Sequence, residues 1–135
     1  MAHEQITVVV AAFNEADSLP LLQPRIAAAL DALVAGQGIA GGVIYVDDGS
    51  GDHTWAVMQA LAAADPRISL LRLSRNFGKE LALTAGLDHV DAGAALILDA
   101  DGQDPPELIG QFVALWREGY DDVHVTRIER EGEGW

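Results

Sequence analysis

Short runs of aliphatic, often β-branched residues alternate along this chain with segments whose apolar residues recur every three or four positions. The short runs are typical of buried strands, and the wider spacing is typical of amphipathic helices. The pattern predicts strands at residues 6–11, 43–46, 68–73 and 94–98, a candidate fifth strand at 123–126, and helices at 18–33, 54–64, 80–89 and 106–118. Alternating strands and helices favour an α/β fold, with a mostly parallel sheet covered by helices on both faces.

Composition narrows the possible functions. The chain has 135 residues, half of them hydrophobic, which is enough for one domain with its own core. Its formal charge of −13 argues against a nucleic-acid partner, whose phosphates select lysine and arginine. The absence of cysteine excludes disulfides and thiolate metal sites and fits a reducing compartment. No apolar run is expected to reach the roughly 20 residues of a membrane helix, and the first residues lack the features of a signal peptide.

The most informative segment follows the fourth predicted strand, where Asp99 and Asp101 are spaced one residue apart and Gln103 comes two residues later. Carboxylates at the carboxyl end of a strand lie where open α/β sheets bind their ligands. Because two neighbouring carboxylates repel each other, the pair favours a bound cation, and oxygen ligands favour a hard ion such as Mg²⁺ or Mn²⁺. The alternative is a loop in which these residues only cap turns and the next helix.

Two other strand ends carry candidate ligands. Asp48 follows the second strand and could accept hydrogen bonds from a nucleobase or from ribose hydroxyls. The alternative for this loop is turn chemistry and helix capping, with Asp52 as the expected N-cap of the second helix. After the first strand, Phe13 could flank a planar base and Glu15 could bind sugar hydroxyls, although Phe13 could equally belong to the core.

The loop after the third strand carries Arg75 and Lys79 in an otherwise acidic chain. Together with the N-terminus of the following helix they could attract a phosphate, and the alternative is a solvated basic loop. The G-x-G-x-x-G pattern at residues 36–41 lacks the context of a dinucleotide-binding loop, because a helix precedes it and a strand follows. It is interpreted as a turn. The four histidines share no spacing typical of metal ligands.

Taken together, the segments at residues 8–15, 46–50, 74–79 and 99–107 resemble the front part of a family 2 glycosyltransferase with the nucleotide-sugar-binding type A (GT-A) fold. They occur in the family's order and at its spacing. The last two most resemble the polyprenyl-phosphate branch, which includes dolichol-phosphate mannose synthases and bactoprenol glucosyltransferases. The chain departs from the family at Ala11 and Phe13, where Pro and Tyr are common.

The resemblance implies roles for individual residues. It implies a nucleotide-binding set comprising Ala11, Phe13, Asn14, Glu15, Asp48, Lys79 and Asp99. It implies a Mg²⁺ or Mn²⁺ ion held by Asp99, Asp101 and Gln103. It implies a catalytic set comprising Asp101, Arg127 and Arg130.

The implied reaction is the transfer of a sugar, with inversion, from a UDP- or GDP-sugar to a polyprenyl phosphate lipid at the cytoplasmic face of the membrane. A lipid phosphate is already anionic near neutral pH, so this acceptor needs little help from a general base. Because the family's domain continues past Trp135, residues 1–135 are expected to be a Rossmann-like, nucleotide-sugar-binding portion that transfers little sugar by itself. Membrane contact is then expected through segments that this chain lacks. The alternatives are a non-catalytic nucleotide-binding or regulatory domain and a haloacid dehalogenase-type phosphatase, whose nucleophile motif Asp99 and Asp101 also resemble.

Overall fold

The computed structural model describes residues 5–90, 93–101 and 105–117, and within these ranges it contains four strands and four α-helices. The strands are β1 (Gln5–Ala12), β2 (Ala40–Asp47), β3 (Ile68–Arg72) and β4 (Ala94–Asp99). The helices are α1 (Leu19–Gln37), α2 (Thr54–Ala64), α3 (Lys79–Leu87) and α4 (Ile109–Arg117), the last preceded by a 3₁₀ turn at Pro106–Leu108. Each of these elements was predicted, with ends that differ by a few residues. The candidate fifth strand at 123–126 lies outside the described residues.

The four strands form one sheet in the order β3-β2-β1-β4, and every neighbouring pair is parallel. The chain adds β2 and β3 on one side of β1 and then crosses to place β4 on its other side. The strand order therefore reverses between β1 and β4, and ligands of open α/β sheets bind beside such a reversal, at the carboxyl ends of the strands. The predicted parallel α/β architecture is confirmed.

Helices cover both faces of the sheet. On one face, Ile26 and Leu30 of α1 and Phe112 of α4 join the buried side chains of β1, β2 and β4 in the larger core. On the other face, α3 packs closely because Gly86 has no side chain. A Cβ at this position would lie 2.6 Å from Cγ1 of Val9 on β1. The register of α3 on the sheet therefore depends on this glycine.

Helix α1 is longer than predicted and ends in a glycine turn. Gly38 adopts a left-handed conformation (φ +68°), and its amide donates to the carbonyl oxygen of Val34 at 3.1 Å. Such a residue commonly terminates a helix. Strand β2 begins two residues later, at Ala40. The interpretation of the G-x-G-x-x-G pattern as a turn is therefore correct, although the turn is limited to Gly38 and Ile39.

Helix α1 also qualifies one expectation. An 18-residue window of it has a mean hydropathy of 1.2, so by length and composition alone it could cross a membrane. The helix predicted from the sequence ended at residue 33 and was too short to contain such a window. A third of the window is buried, and Leu22, Ile26, Leu30 and Leu33 pack in the core. The core helix of a globular domain meets the same test.

Candidate functional site at the carboxyl edge of the sheet

Aspartates at the ends of β2 and β4 lie at one edge of the sheet, on either side of β1. Ala12 of β1 is paired with Asp47 of β2, and Ala11 is paired with Asp99 of β4. The amide of Asp48 donates to the carbonyl oxygen of Ala12 at 2.9 Å, which extends the pairing by one step. Asp48 and Asp99 therefore lie at the same edge, as predicted, beside the reversal of strand order.

The side chain of Asp48 is completely buried and holds the loop between β3 and α3. Its Oδ1 accepts a hydrogen bond from the amide of Phe77 at 2.8 Å, and its Oδ2 accepts one from the amide of Gly78 at 3.0 Å. The side-chain amide of Asn76 donates to Oδ2 and to the backbone oxygen of Asp48, both at 3.1 Å. Both carboxylate oxygens thus organise residues 76–78. The contact of Asp48 with a nucleobase stays a prediction.

Gly49 lets the same loop approach the end of β2. It has a left-handed backbone (φ +72°), and a Cβ there would lie 2.2 Å from the carbonyl carbon of Arg75 and 2.3 Å from the amide nitrogen of Asn76. Backbone atoms cannot move aside as the end of a flexible side chain can. Only glycine fits at position 49. Gly49 therefore has a structural function that was not predicted from the sequence.

The segment after β1 is tied to the loop after β2. Asn14 has a left-handed backbone (φ 56°), its amide donates to Oγ of Ser50 at 2.9 Å, and its Oδ1 accepts from the amide of Gly51 at 2.8 Å. The amide of Glu15 donates to Oγ1 of Thr54 at 2.8 Å. Left-handed non-glycine residues are uncommon and favour asparagine. Asn14, a predicted nucleotide-binding residue, therefore joins two loops at the site.

The loop after β2 also prepares the start of α2. The N-cap residue is His53, not Asp52 as predicted, and its side chain makes no capping hydrogen bond. Asp52 acts from one residue earlier, since its Oδ1 accepts from the amide of Thr54 at 2.9 Å and from the Thr54 hydroxyl. Burial opposes ionisation of this carboxyl, but the hydrogen bonds from Thr54, together with those from the backbone of Ala16 and of Asp52 itself, lower the pKa of Asp52 below its usual value.

Phe13 and Arg75, two residues predicted as candidates for ligand binding, lie in different surroundings. Phe13 is 36% exposed at the end of β1, so its ring is not a buried core group. Arg75 lies over the half-exposed ring of Phe77, with 4.9 Å from its guanidinium carbon to the ring centre. Two aromatic rings are thus accessible to a ligand at this edge.

Lys79, the first residue of α3, forms an ion pair with Asp99. Its Nζ lies 3.1 Å from Oδ1 of Asp99, and the two side chains are only 16% and 9% exposed. The alternative of a solvated basic loop therefore does not apply to Lys79. Asp101, two residues beyond Asp99, is exposed. The remaining predicted site residues, Gln103, Arg127 and Arg130, lie outside the described residues.

The two carboxylates suit a divalent ion whose other ligands come from water and substrate. Within residues 5–90, 93–101 and 105–117, no group of three His, Cys, Asp or Glu side chains is arranged to hold a metal. Asp99 already has a cationic partner, and Asp101 supplies a second carboxylate two residues later in the chain. Hard ions such as Mg²⁺ are commonly held by one or two carboxylates, with water and substrate phosphates as the other ligands. The residues present fit a site of that kind.

A polar cavity of about 410 Å³ opens between the loops after β2 and β3. It is lined by Gly49, Ser50, Arg72, Leu73 and Ser74. Below it, the buried carboxylate of Asp47 accepts from the amide of Ser50 at 3.0 Å and lies 3.7 Å from Nε of Arg72. Arg72 also stacks over the ring of Trp55, 5.1 Å from its centre. Asp47 and Arg72 were not predicted as site residues. Their only indication in the sequence is that residues of opposite charge stand at the ends of β2 and β3.

The chain is similar to bacterial and phage glycosyltransferases. It is 43% identical over 131 residues to an uncharacterized glycosyltransferase of Synechocystis sp.. This match covers 97% of this chain and 40% of that protein. It is 35% identical over 130 residues to the bactoprenol glucosyl transferase of Shigella phage SfX, covering 96% of this chain and 41% of that protein. The chain therefore spans about two fifths of the length of these relatives.

A solved structure has the same architecture. The mannosyltransferase PcManGT from Pyrobaculum calidifontis, in complex with GDP-Man and Mn²⁺, superposes with a TM-score of 0.65 at 26% identity. The match covers 79% of this chain and 30% of that one. Residues 7–135 match the family model described as glycosyl transferase family 2. Because this match covers almost the whole chain, the protein belongs to glycosyl transferase family 2.

Proposed function

We propose that residues 1–135 are the nucleotide-sugar-binding portion of a GT-A domain that moves a sugar, with inversion, from a UDP- or GDP-sugar to a polyprenyl phosphate lipid. The observation that carries the proposal is that Asp48 and Asp99 lie at the same carboxyl edge of the sheet, beside the reversal of strand order, with Lys79 paired to Asp99. Crevices at such positions bind nucleotides in open α/β folds. The names of the relatives support the sugar and the lipid carrier.

The residues at the edge divide into binding roles. The half-exposed ring of Phe13 flanks the base, and the polar cavity beside Ser50 offers hydroxyl and guanidinium groups to it. Asn14 lies next to this cavity, because its amide donates to Ser50, and the amide of Glu15 donates to Thr54 at the start of α2. The complete nucleotide-binding set in this proposal is Ala11, Phe13, Asn14, Glu15, Asp48, Lys79 and Asp99.

Sugar transfer leaves negative charge on the departing diphosphate, and the site contains groups that can stabilise it. Asp99, Asp101 and Gln103 would hold Mg²⁺ or Mn²⁺, which when bound supplies Lewis-acid stabilisation of that charge. Lys79 contributes a positive charge beside Asp99. Arg127 and Arg130 are proposed to contact the diphosphate and the acceptor phosphate. The acceptor implies work at the cytoplasmic face of the membrane.

The alternatives have less support. A phosphatase of the haloacid dehalogenase type places its nucleophile on the first strand, whereas Asp99 ends the fourth strand, and the family match leaves that alternative without support. A nucleotide-binding portion without transfer activity is compatible with a chain that spans two fifths of its relatives. Binding and transfer must therefore be measured separately.

Binding of nucleoside diphosphate should require a divalent ion, because the clustered carboxylates otherwise repel the diphosphate. We expect calorimetry with UDP and with GDP to detect binding of at least one of them in the presence of Mn²⁺ and to detect little or none in chelator. Equal affinity with and without metal would contradict the roles of Asp99, Asp101 and Gln103. Failure of both nucleotides to bind in Mn²⁺ would contradict the proposed function itself.

The 135-residue chain alone should transfer little or no sugar, because a reaction also needs an oriented acceptor, and lost orientation removes several kcal/mol of barrier lowering. The assay uses radiolabelled UDP-glucose or GDP-mannose with a short polyprenyl phosphate. A bactoprenol glucosyl transferase of full length serves as the positive control. Robust turnover by the 135-residue chain would show that a much smaller catalytic unit is sufficient.

A further inference from the structure

We propose that Lys79 is an internal counter-ion that occupies Asp99 until a nucleoside diphosphate and a divalent ion bind together, and that Lys79 then turns to the diphosphate. This inference rests on the proposed function. It assigns a coupling role to one residue: the affinity for the metal and the affinity for the nucleotide depend on each other through the position of the Lys79 ammonium group.

Because the Lys79–Asp99 ion pair is short and largely buried, the ammonium of Lys79 competes strongly with a metal ion for Asp99. Nζ of Lys79 and Oδ1 of Asp99 are 3.1 Å apart, and both side chains are largely removed from water. Charges interact more strongly where water is excluded, so this pair is stronger than an exposed one. A divalent ion that binds Asp99 in the absence of nucleotide must displace the ammonium or tolerate its repulsion at short range.

The ammonium is held at this position by the loop that precedes it. The amides of Phe77 and Gly78 both donate to the buried carboxylate of Asp48, and Gly78 is the residue directly before Lys79. The backbone of the loop is thus fixed at β2 while the side chain of Lys79 reaches the end of β4. Rotation of the side chain alone can move the charge, without movement of the backbone.

A nucleoside diphosphate reduces the competition between Lys79 and a divalent ion for Asp99, because its several negative charges can bind both the ammonium and the metal ion. With the diphosphate present, the ammonium gains a new anionic partner, and Asp99 becomes available to the divalent ion. Each ligand therefore improves the site for the other, and this reciprocity is required of any coupling between two binding sites. No covalent step is involved.

The sequence offers a direct test, because Lys79 is the single lysine of the chain. In Lys79→Met, binding of Mn²⁺ without nucleotide, followed by the electron paramagnetic resonance signal of free Mn²⁺, should tighten by about fivefold or more, within the usual range of coupling between sites. Binding of UDP or GDP in saturating Mn²⁺ should weaken. Lys79→Arg keeps the charge and should retain the wild-type pattern. Circular dichroism verifies that each variant is folded, and Lys79→Gln replaces the methionine variant if that one does not fold.

An independent readout follows the lysine itself. Reductive methylation with ¹³C-formaldehyde keeps the positive charge and gives one lysine dimethylamine signal by NMR. That signal should shift with Mg²⁺ plus UDP or GDP and stay unchanged with Mg²⁺ plus the corresponding nucleoside, which lacks the diphosphate. An unchanged or weaker Mn²⁺ affinity in a folded Lys79→Met variant would overturn the coupling role while wild-type nucleotide binding still supports the proposed function. Failure of both UDP and GDP to bind the wild type in Mn²⁺ would overturn both, whereas equal nucleotide affinity with and without metal would overturn the coupling role alone.

Discussion

Replacing Gly49 with alanine should destabilise the protein by about 3 kcal/mol, since a side chain there meets two separate penalties. The backbone of Gly49 is left-handed (φ +72°), a conformation that costs other residues about 1–2 kcal/mol. In addition, the new Cβ would lie within 2.3 Å of backbone atoms of Arg75 and Asn76, so the loop after β3 must move away. A loss of this size is a large share of the 5–15 kcal/mol that typically stabilises a domain. Urea unfolding followed by tryptophan fluorescence measures it.

Gly51, in the same loop, provides the matched control. A Cβ at Gly51 meets no atom within 4 Å, and its backbone is not left-handed. Gly51→Ala should therefore change the free energy of unfolding by no more than about 0.5 kcal/mol, as is usual for surface substitutions. If both alanine variants were equally stable, the close approach of residues 75 and 76 to the end of β2 would be wrong.

Replacing Asp48 with asparagine should also cost about 3 kcal/mol, although the two side chains have nearly the same shape. An asparagine retains one acceptor oxygen, but its NH₂ group would face donors where the carboxylate now accepts from Gly78 and Asn76. At least one buried donor then loses its partner. Hydrogen bonds to charged groups contribute about 1.5–3 kcal/mol each, which sets the expected magnitude. Unfolding in urea at neutral pH provides the measurement, with the exposed Asp17→Asn as a control of equal charge change.

A double-mutant cycle with Asn76→Ala tests whether the two residues act as one unit. Because the side-chain amide of Asn76 donates to both the carboxylate and the backbone oxygen of Asp48, the two substitutions should be non-additive by about 0.5–3 kcal/mol. Strict additivity would mean that Asp48 does not hold the loop through Asn76. Movement of this loop should also shift Lys79 away from the position in which it would meet the diphosphate, so nucleotide binding by Asp48→Asn should weaken even where the protein remains folded.

Elements whose signal is local could be predicted from the sequence. Strand β4 and helix α2 were predicted from the spacing of apolar residues, and the structure has both at or within one residue of the expected ends. The end of α1 was placed four residues too early, because the helix continues through Val34, Ala35, Gly36 and Gln37 until Gly38 terminates it in a left-handed conformation. The N-cap of α2 was misplaced by one residue, since Asp52 reaches the first amide of the helix from outside it.

From its residues alone the chain could be predicted to alternate strands and helices, to carry carboxylates at the ends of β2 and β4, and to have a cation at the start of α3. These features depend on neighbours within a few residues, whose spacing sets the local conformation. The pairing of Asp48 with the amides of a loop about 30 residues away, and of Lys79 with Asp99, depends instead on how the chain folds in space. Partners of this kind depend on the strand order β3-β2-β1-β4 and on the close packing of α3 at Gly86, and apolar spacing along the chain contains no information about either. A buried carboxylate must find donors, but which donors reach it depends on how the strands are arranged in space.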